Sequence, residues 1–320
     1  MTLAYETSHP LLDVIPTPID IGICTYQRAH IAATLRSIAE LRLNPARKIR
    51  VIVADNDTIP SAQTLVTSTA AEYKLDLLYI HAPSHNIAVA RNACLNAATA
   101  PLLAFIDDDE IVTPSWLQTL LDTMEITHAD IAFGPVQALY DTSCPEWLRQ
   151  GDYCTTNLSS TDSSIQTGYA GNVLLRRTAP ALTKLRFRLE LGQTGGEDTL
   201  YFAAAATAGA ILVYAPKAIV IESVATERQN LLWLLKRRFR FGQTHGLLLL
   251  ETTARPLTKR IHAVLLAGTK SLYCLVAATG SIMRKDRLIF WTLRSAMHAG
   301  VVARLLGKPA LALYGKGAET

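Results

Sequence analysis

Acidic residues all but disappear from the last third of the chain. From Arg228 onward, 16 Lys and Arg face three acids (Glu251, Asp286 and Glu319), while residues 1–227 carry 15 basic and 24 acidic side chains. Cysteine is scarce as well. The five cysteines, Cys24, Cys94, Cys144, Cys154 and Cys274, are odd in number and show no CxxC spacing. They read as reduced thiols of a cytosolic compartment. No internal repeat is visible. Residues 1–18 lack a basic segment followed by an apolar stretch, so no secretory signal is expected. The back third interleaves its charges with long aliphatic runs rather than aromatics, which argues against nucleic acid as a partner.

What is present is apolar enough to fold. Hydrophobic residues make up 49% of 320, so a full core is expected and disorder is not. The charge split gives two jobs. The acidic front can hold cations, and the basic, apolar back can sit on an anionic membrane surface. We expect a catalytic domain over 1–227 and a helical membrane-associated region over 228–320.

The front alternates short β-branched runs (19–25, 50–55, 75–81, 102–106, 171–177) with helical patterns (30–41, 61–73, 86–98, 114–124, 195–209). That alternation predicts an α/β fold, a doubly wound, mostly parallel sheet flanked by helices. In such sheets ligands bind beyond the carboxyl ends of the strands. Thr25, Asp55 and Asp107 all fall at strand ends and are expected along one edge. Residues 141–168, rich in Ser, Thr and Asp, read as a mobile loop beside the site or as a plain surface excursion. In the back third, 231–241 is a basic apolar helix ending at Gly242. The apolar stretches 262–283 and 288–306 are broken by Lys270 and by Arg294, His298 and Arg304. Such centres are rare in spanning helices. A pair of amphipathic helices lying in the interface is therefore expected, with a buried helical hairpin as the alternative.

Five motifs carry chemistry. In Phe105-Ile106-Asp107-Asp108-Asp109-Glu110 an apolar strand delivers adjacent carboxylates to solvent. Their repulsion calls for a hard cation, Mg2+ or Mn2+, unless the run is only a solvated acidic loop. Side chains at i and i+2 of an extended segment share a side, so Asp107 and Asp109 are expected to share one ligand. Asp55-Asn56-Asp57 ends another strand, where Asp55 can accept from a uracil N–H or simply make a turn. Asn86 to Asn92 opens a helix that brings Arg91 toward a diphosphate, or toward the acids as a plain salt bridge. Gly195-Gly196-Glu197-Asp198 places two acids at a helix start, a common dipole arrangement in its own right. Arg237 to His245 can pair with pyrophosphate or lipid phosphate, or can be a charge run facing the membrane.

In this order, the motifs resemble the inverting family 2 glycosyltransferases of GT-A fold, over roughly residues 19–245. Within that family the chain is similar to exopolysaccharide glucosyltransferases of the succinoglycan type. The carriers are Cys24-Thr25-Tyr26-Gln27-Arg28, His85 to Asn92, Phe105 to Glu110, Gly196-Glu197-Asp198 and Arg237 to Gly242. The resemblance implies that Asp55 meets the uracil. Thr25, Arg28, Arg91 and Asp108 would attend the nucleotide, and Asp107 and Asp109 the metal. Asp198 is implied as the catalytic base, with Glu197 the second candidate. Many members place a metal-binding His after the last strand. This chain has Glu222 there instead, so either Glu222 takes that place or the metal has fewer protein ligands. The implied reaction moves a hexose from a UDP-sugar to a lipid-diphosphate-linked saccharide at the cytoplasmic face of the inner membrane. Two other readings stay open. A sugar nucleotidyltransferase would have a Gly-rich loop after its first strand, and 24–28 has none. A non-catalytic polysaccharide assembly protein would bind without turnover.

Overall fold

The computed structural model describes residues 16–158, 165–251 and 257–311. Part of the expected 141–168 loop and the N-terminal segment read for a signal lie outside the described residues.

The sheet forms where the apolar runs were expected. β1 (Ile19–Thr25), β2 (Ile49–Asp55), β3 (Leu77–His81) and β4 (Leu102–Asp107) are parallel neighbours. Between them run α1 (Ile31–Ala39), α2 (Gln63–Glu72) and α3 (Ile87–Ala97). Beyond β4 come β5 (Glu110–Val112), α4 (Trp116–Thr127), β6 (Ile131–Phe133), β7 (Val136–Leu139), α5 (Glu146–Gly151), β8 (Asn172–Arg176), α6 (Glu197–Thr207), β9 (Leu212–Tyr214) and β10 (Val220–Ser223). The main sheet runs β3-β2-β1-β4-β8-β6-β9, and a three-stranded sheet runs β5-β10-β7. Only β8 opposes its neighbours in the main sheet. The doubly wound, mostly parallel architecture is as expected.

Alternating side chains of the strands fill a core on each face. Ile19, Ile21, Ile23, Val51 and Val53 pack on one side with α1, α2 and α4. Ile52, Ala54, Leu103 and Phe105 pack on the other with α3 and α6. With both faces covered, all seven residues of β1 are buried, Asp20 included. At the bottom of the sheet, buried Asp20 accepts from Arg50 and from the backbone N–H groups of Thr99 and Ala100, tying three segments together.

The back third is a layer of three helices, α7 (Leu231–Glu251), α8 (Leu257–Thr279) and α9 (Lys285–Leu305). α9 packs against both of the others. The helix expected to end at Gly242 continues for nine more residues. The reason is packing. A Cβ on Gly242 would lie 1.8 Å from the Met297 carbonyl oxygen, and one on Gly300 would lie 2.0 Å from that of Phe239. The glycine is a notch for a close helix crossing rather than a stop signal. α8 is long and apolar enough to cross a membrane, with mean hydropathy 1.5 in its best window. It is largely uncovered, exposing Ile261, Leu265, Leu272, Leu275 and Val276.

Candidate active site

The parallel register gathers the strand ends. Thr25 lies opposite Asp55, and Cys24 opposite Asp107. A cleft of about 530 Å³ opens there, lined by Thr25, Arg28, Arg91, Asp107, Asp108, Asp109, Glu197, Asp198 and Glu222 among others. Eight of the nine sequence-predicted site residues that it brings together are charged, so the site is governed by electrostatics.

The acidic motif does not stay extended. β4 ends at Asp107, and Asp108 and Asp109 form a turn into β5. Glu110 closes that turn, its Oε2 accepting from the Asp107 N–H at 3.0 Å. The expected i, i+2 alternation therefore does not set the directions of these side chains. Asp107 and Asp109 still face the cleft, but each meets a different arginine. Arg28 donates to Asp109, and Arg91 reaches Asp107 at 3.4 Å. Asp108 turns inward, where it accepts from the Thr25 hydroxyl at 2.7 Å. Among the described residues, no three His, Cys, Asp or Glu side chains gather closely enough to hold a metal on their own.

Burial, and then mutual repulsion, raises several of these carboxyls. Burial pushes Asp108 up to about 7, against the pull of Arg28. Asp107 is also raised, by burial and by Asp109, although Arg91 opposes the shift. Burial and Asp107 drive Glu110 well above the carboxylate range. Glu222 stands opposite Glu110 across the β5–β10 pair and is raised by burial and by Asp109. In this structure Glu222 accepts from Arg228 at 2.8 Å.

Arg91 lies at the floor of the cleft on α3. Asn86 caps that helix, its Oδ1 accepting from the Ala88 and Val89 N–H groups. Arg91 is a buried bridge, donating to Glu197 on one side and to Asp107 on the other. Glu197 and Asp198 start α6 after two glycines in the left-handed region, φ 81° and 96°. That conformation is cheap only without a Cβ. A Cβ on Gly195 would also meet the tip of the Arg240 side chain of α7, which would have to move aside. Glu197 is buried against Arg91, and Asp198 beside it lines the cleft.

Asp55 sits differently from the rest. It is fully buried, its Oδ1 accepting from the Asp57 N–H and its Oδ2 from Ala62 N–H and the Tyr79 hydroxyl at 2.6 Å. The direct nucleobase contact expected of it finds this carboxylate already engaged, and Asn56 is the member of its motif that lines the cleft.

Sequence reasoning missed an aromatic wall. Trp233, Arg237 and Phe241 of α7 line the cleft with Tyr169. The Arg237 guanidinium lies 5.3 Å from the Trp233 ring centre and 5.2 Å from that of Phe241. The i, i+4, i+8 spacing of these three was visible in the sequence, but nothing there told which face meets the cleft. On the opposite rim, Tyr26 and His85 meet edge to face at 4.9 Å.

A sequence model of the family described as Glycosyl transferase family 2 matches residues 20–180. The chain is 46% identical over 297 residues to the succinoglycan biosynthesis protein ExoM of Rhizobium meliloti (strain 1021), covering 93% of this chain and 96% of that protein. The mannosyltransferase PcManGT from Pyrobaculum calidifontis, solved in complex with GDP-Man and Mn2+, superposes with a TM-score of 0.63 at 16% identity, over 91% of this chain and 88% of that one. S. aureus TarS 1-349 in complex with UDP gives a TM-score of 0.53 at 16% identity, over 87% of this chain and 90% of that one. At these identities the structural likeness speaks for the fold, which is the expected GT-A arrangement.

Proposed function

Since this chain belongs to glycosyltransferase family 2, and so is an enzyme that transfers sugar, we propose that it moves glucose from UDP-glucose to a lipid-diphosphate-linked oligosaccharide in exopolysaccharide synthesis. The observation that carries this reading is the cleft itself: carboxylates from the β4 end and from the α6 start, far apart in sequence, line one space. The 46% identity to a protein named for succinoglycan biosynthesis supports the polymer class.

The donor set fits a hard divalent cation. Asp107 and Asp109 offer only oxygen, and Glu222 and Glu110 line the same cleft, so the donor set is the all-oxygen kind that hard cations prefer. The structural relative with GDP-Man and Mn2+ agrees with that chemistry. Bound by Asp107 and Asp109, with Glu222 as a further ligand, Mg2+ or Mn2+ would neutralise charge on the departing diphosphate. The chain does the rest. Arg28 and Arg91 supply positive charge beside the diphosphate, and Thr25 holds Asp108 beneath it. Asp55 shapes the nucleobase end through the turn it anchors. Asp198 takes the proton of the acceptor hydroxyl as that oxygen attacks the anomeric carbon, and a single displacement inverts the configuration. The wall of Trp233, Phe241 and Tyr169 gives the acceptor sugar an apolar face, with arginines of α7 for its phosphates.

We place residues 1–227 as the catalytic domain and 228–320 as the membrane-associated region. α8 lies in the plane of the cytoplasmic surface of the inner membrane, its uncovered leucines in the acyl boundary and the basic excess on the headgroups. A thermal-shift panel of UDP-, GDP- and dTDP-sugars, with and without Mn2+, tests the donor. UDP-glucose with Mn2+ should give the largest shift, and a larger shift from a GDP- or dTDP-sugar would overturn the assignment.

A further inference from the structure

We propose that Arg28 is a releasable counter-ion, holding Asp109 in the donor-free enzyme and passing to the donor's diphosphate when a divalent cation takes Asp109. This rests on the donor and metal reading above, and it assigns to one side chain the coupling between the two ligands.

Two arginines face the acids at the β4 end, and they are built differently. Arg91 is fixed. Its side chain is 7% exposed, ion-paired with both Glu197 and Asp107, and its guanidinium lies 5.7 Å from the Phe187 ring centre. Moving it would leave Glu197 charged and alone in a buried place, which is costly. Arg28 is 38% exposed and rests on the loop after β1. It donates to Asp109 and lies 3.5 Å from Asp108, and no other ion pair of Arg28 forms among the described residues. The root of that loop is anchored. Gln27 adopts the left-handed region at φ 52°, and its amide donates to Asp57 at 3.2 Å. An anchored root and a half-exposed head describe a side chain that can swing without disturbing the strand end.

The exchange balances charge at each stage. Without ligands, Arg28 offsets the repulsion within the 107–109 turn. The Arg28 guanidinium occupies Asp109 Oδ2, an oxygen that a cation would need, and no three ligating side chains are assembled among the described residues. A diphosphate completes the site from outside and offers Arg28 a new planar, bidentate partner. Each ligand therefore prepares the site for the other, a positive coupling that must be reciprocal.

The test is Mn2+ binding by the full chain, read from the electron paramagnetic resonance of the free ion, with and without UDP. In the wild type, UDP should tighten Mn2+ binding. In Arg28→Gln, Mn2+ alone should bind about fivefold tighter, the scale of a half-exposed ion pair that no longer has to be broken, and UDP should add less tightening than in the wild type. Arg28→Met, read the same way, separates the loss of the guanidinium from any effect of the new amide. Asp109→Asn should lose Mn2+ binding in both conditions. The inference is overturned if both Arg28 variants bind Mn2+ alone no more tightly than the wild type, or if UDP tightens binding equally in all three. A wild type that binds no Mn2+ even with UDP would instead overturn the metal reading itself.

Discussion

Arg91 and Glu197 lie 106 positions apart in the chain and form a buried ion pair at the floor of the cleft, one on α3 and the other on α6. The pair joins the two halves of the site, because Arg91 also reaches Asp107 at the β4 end. Glu197→Gln removes one partner of Arg91 but leaves Asp107 beside it, so the loss is that of a charged hydrogen bond rather than of an orphaned buried charge. It should therefore lower the unfolding free energy by about 1.5–3 kcal/mol, measured by urea denaturation. A loss below about 1 kcal/mol would show that solvent reaches this pair freely.

Asp198 and Glu197 compete for the role of base, and their surroundings separate them. Both line the cleft, but Glu197 is buried and ion-paired with Arg91, whereas Asp198 is partly exposed. Asp198→Asn should lower the transfer rate by about 10²–10⁴-fold, the usual worth of a positioned base. Its UDP affinity should stay within about twofold of the wild type, since removing a group that acts on the acceptor leaves donor binding in place. Normal transfer by this variant would move the role to another group.

Gly242 gives a stability prediction with a counter-intuitive sign. An exposed helical glycine changed to alanine gains about 1 kcal/mol from propensity. Here the new Cβ would meet the Met297 carbonyl 1.8 Å away. Overpacking of this kind costs about 1–3 kcal/mol, so Gly242→Ala should lower the thermal midpoint. A raised midpoint would mean that α7 and α9 are not in close contact.

The buried carboxyls set a pH dependence. Asp108 is pushed up to about 7 by burial, while an unfolded Asp titrates near 4. Between those values the folded chain binds more protons than the unfolded one, so stability falls as pH rises. The contribution is fully present below the unfolded pKa and is lost above the folded one. The thermal midpoint of the ligand-free enzyme should drop from about pH 5 to about pH 8, and Asp108→Asn should flatten that slope. An unchanged slope would show that Asp108 is charged throughout.

Membrane docking can be probed without removing a helix. Leu265, Leu272 and Leu275 are exposed on α8, so acidic replacements there leave the core untouched. Leu265→Asp combined with Leu272→Asp should abolish co-sedimentation with anionic vesicles, because each buried leucine contributes about 1.5–3 kcal/mol. Equal sedimentation of variant and wild type would place the contact elsewhere.

How much of this was legible in the sequence follows from the range of the interactions. β1 to β4 and their helices were readable because each is a long run with one strong period. β5, β6, β7 and β9 were not, since strands of three or four residues carry too little pattern and exist only through partners far along the chain. The acids at the β4 end and the glycine turn before Glu197 stood out as motifs. The inward turn of Asp108 did not, because it depends on a hydroxyl 83 positions away. Asp55 looked available from its place at a strand end, and only the packed Tyr79 and the Ala62 amide show that it is engaged. Gly242 misled for the same reason: its neighbour lies on another helix.

The glycine notch between α7 and α9 has a consequence for how the enzyme meets its substrates. A single helix of about 31 Å supplies Trp233 and Phe241 to the reaction chamber and, through the notch, clamps the layer that carries α8. On the membrane-bound reading, the height of the chamber above the lipid surface is then a built-in dimension. On that reading it would act as a ruler, admitting an anchored saccharide only when its free end reaches Asp198.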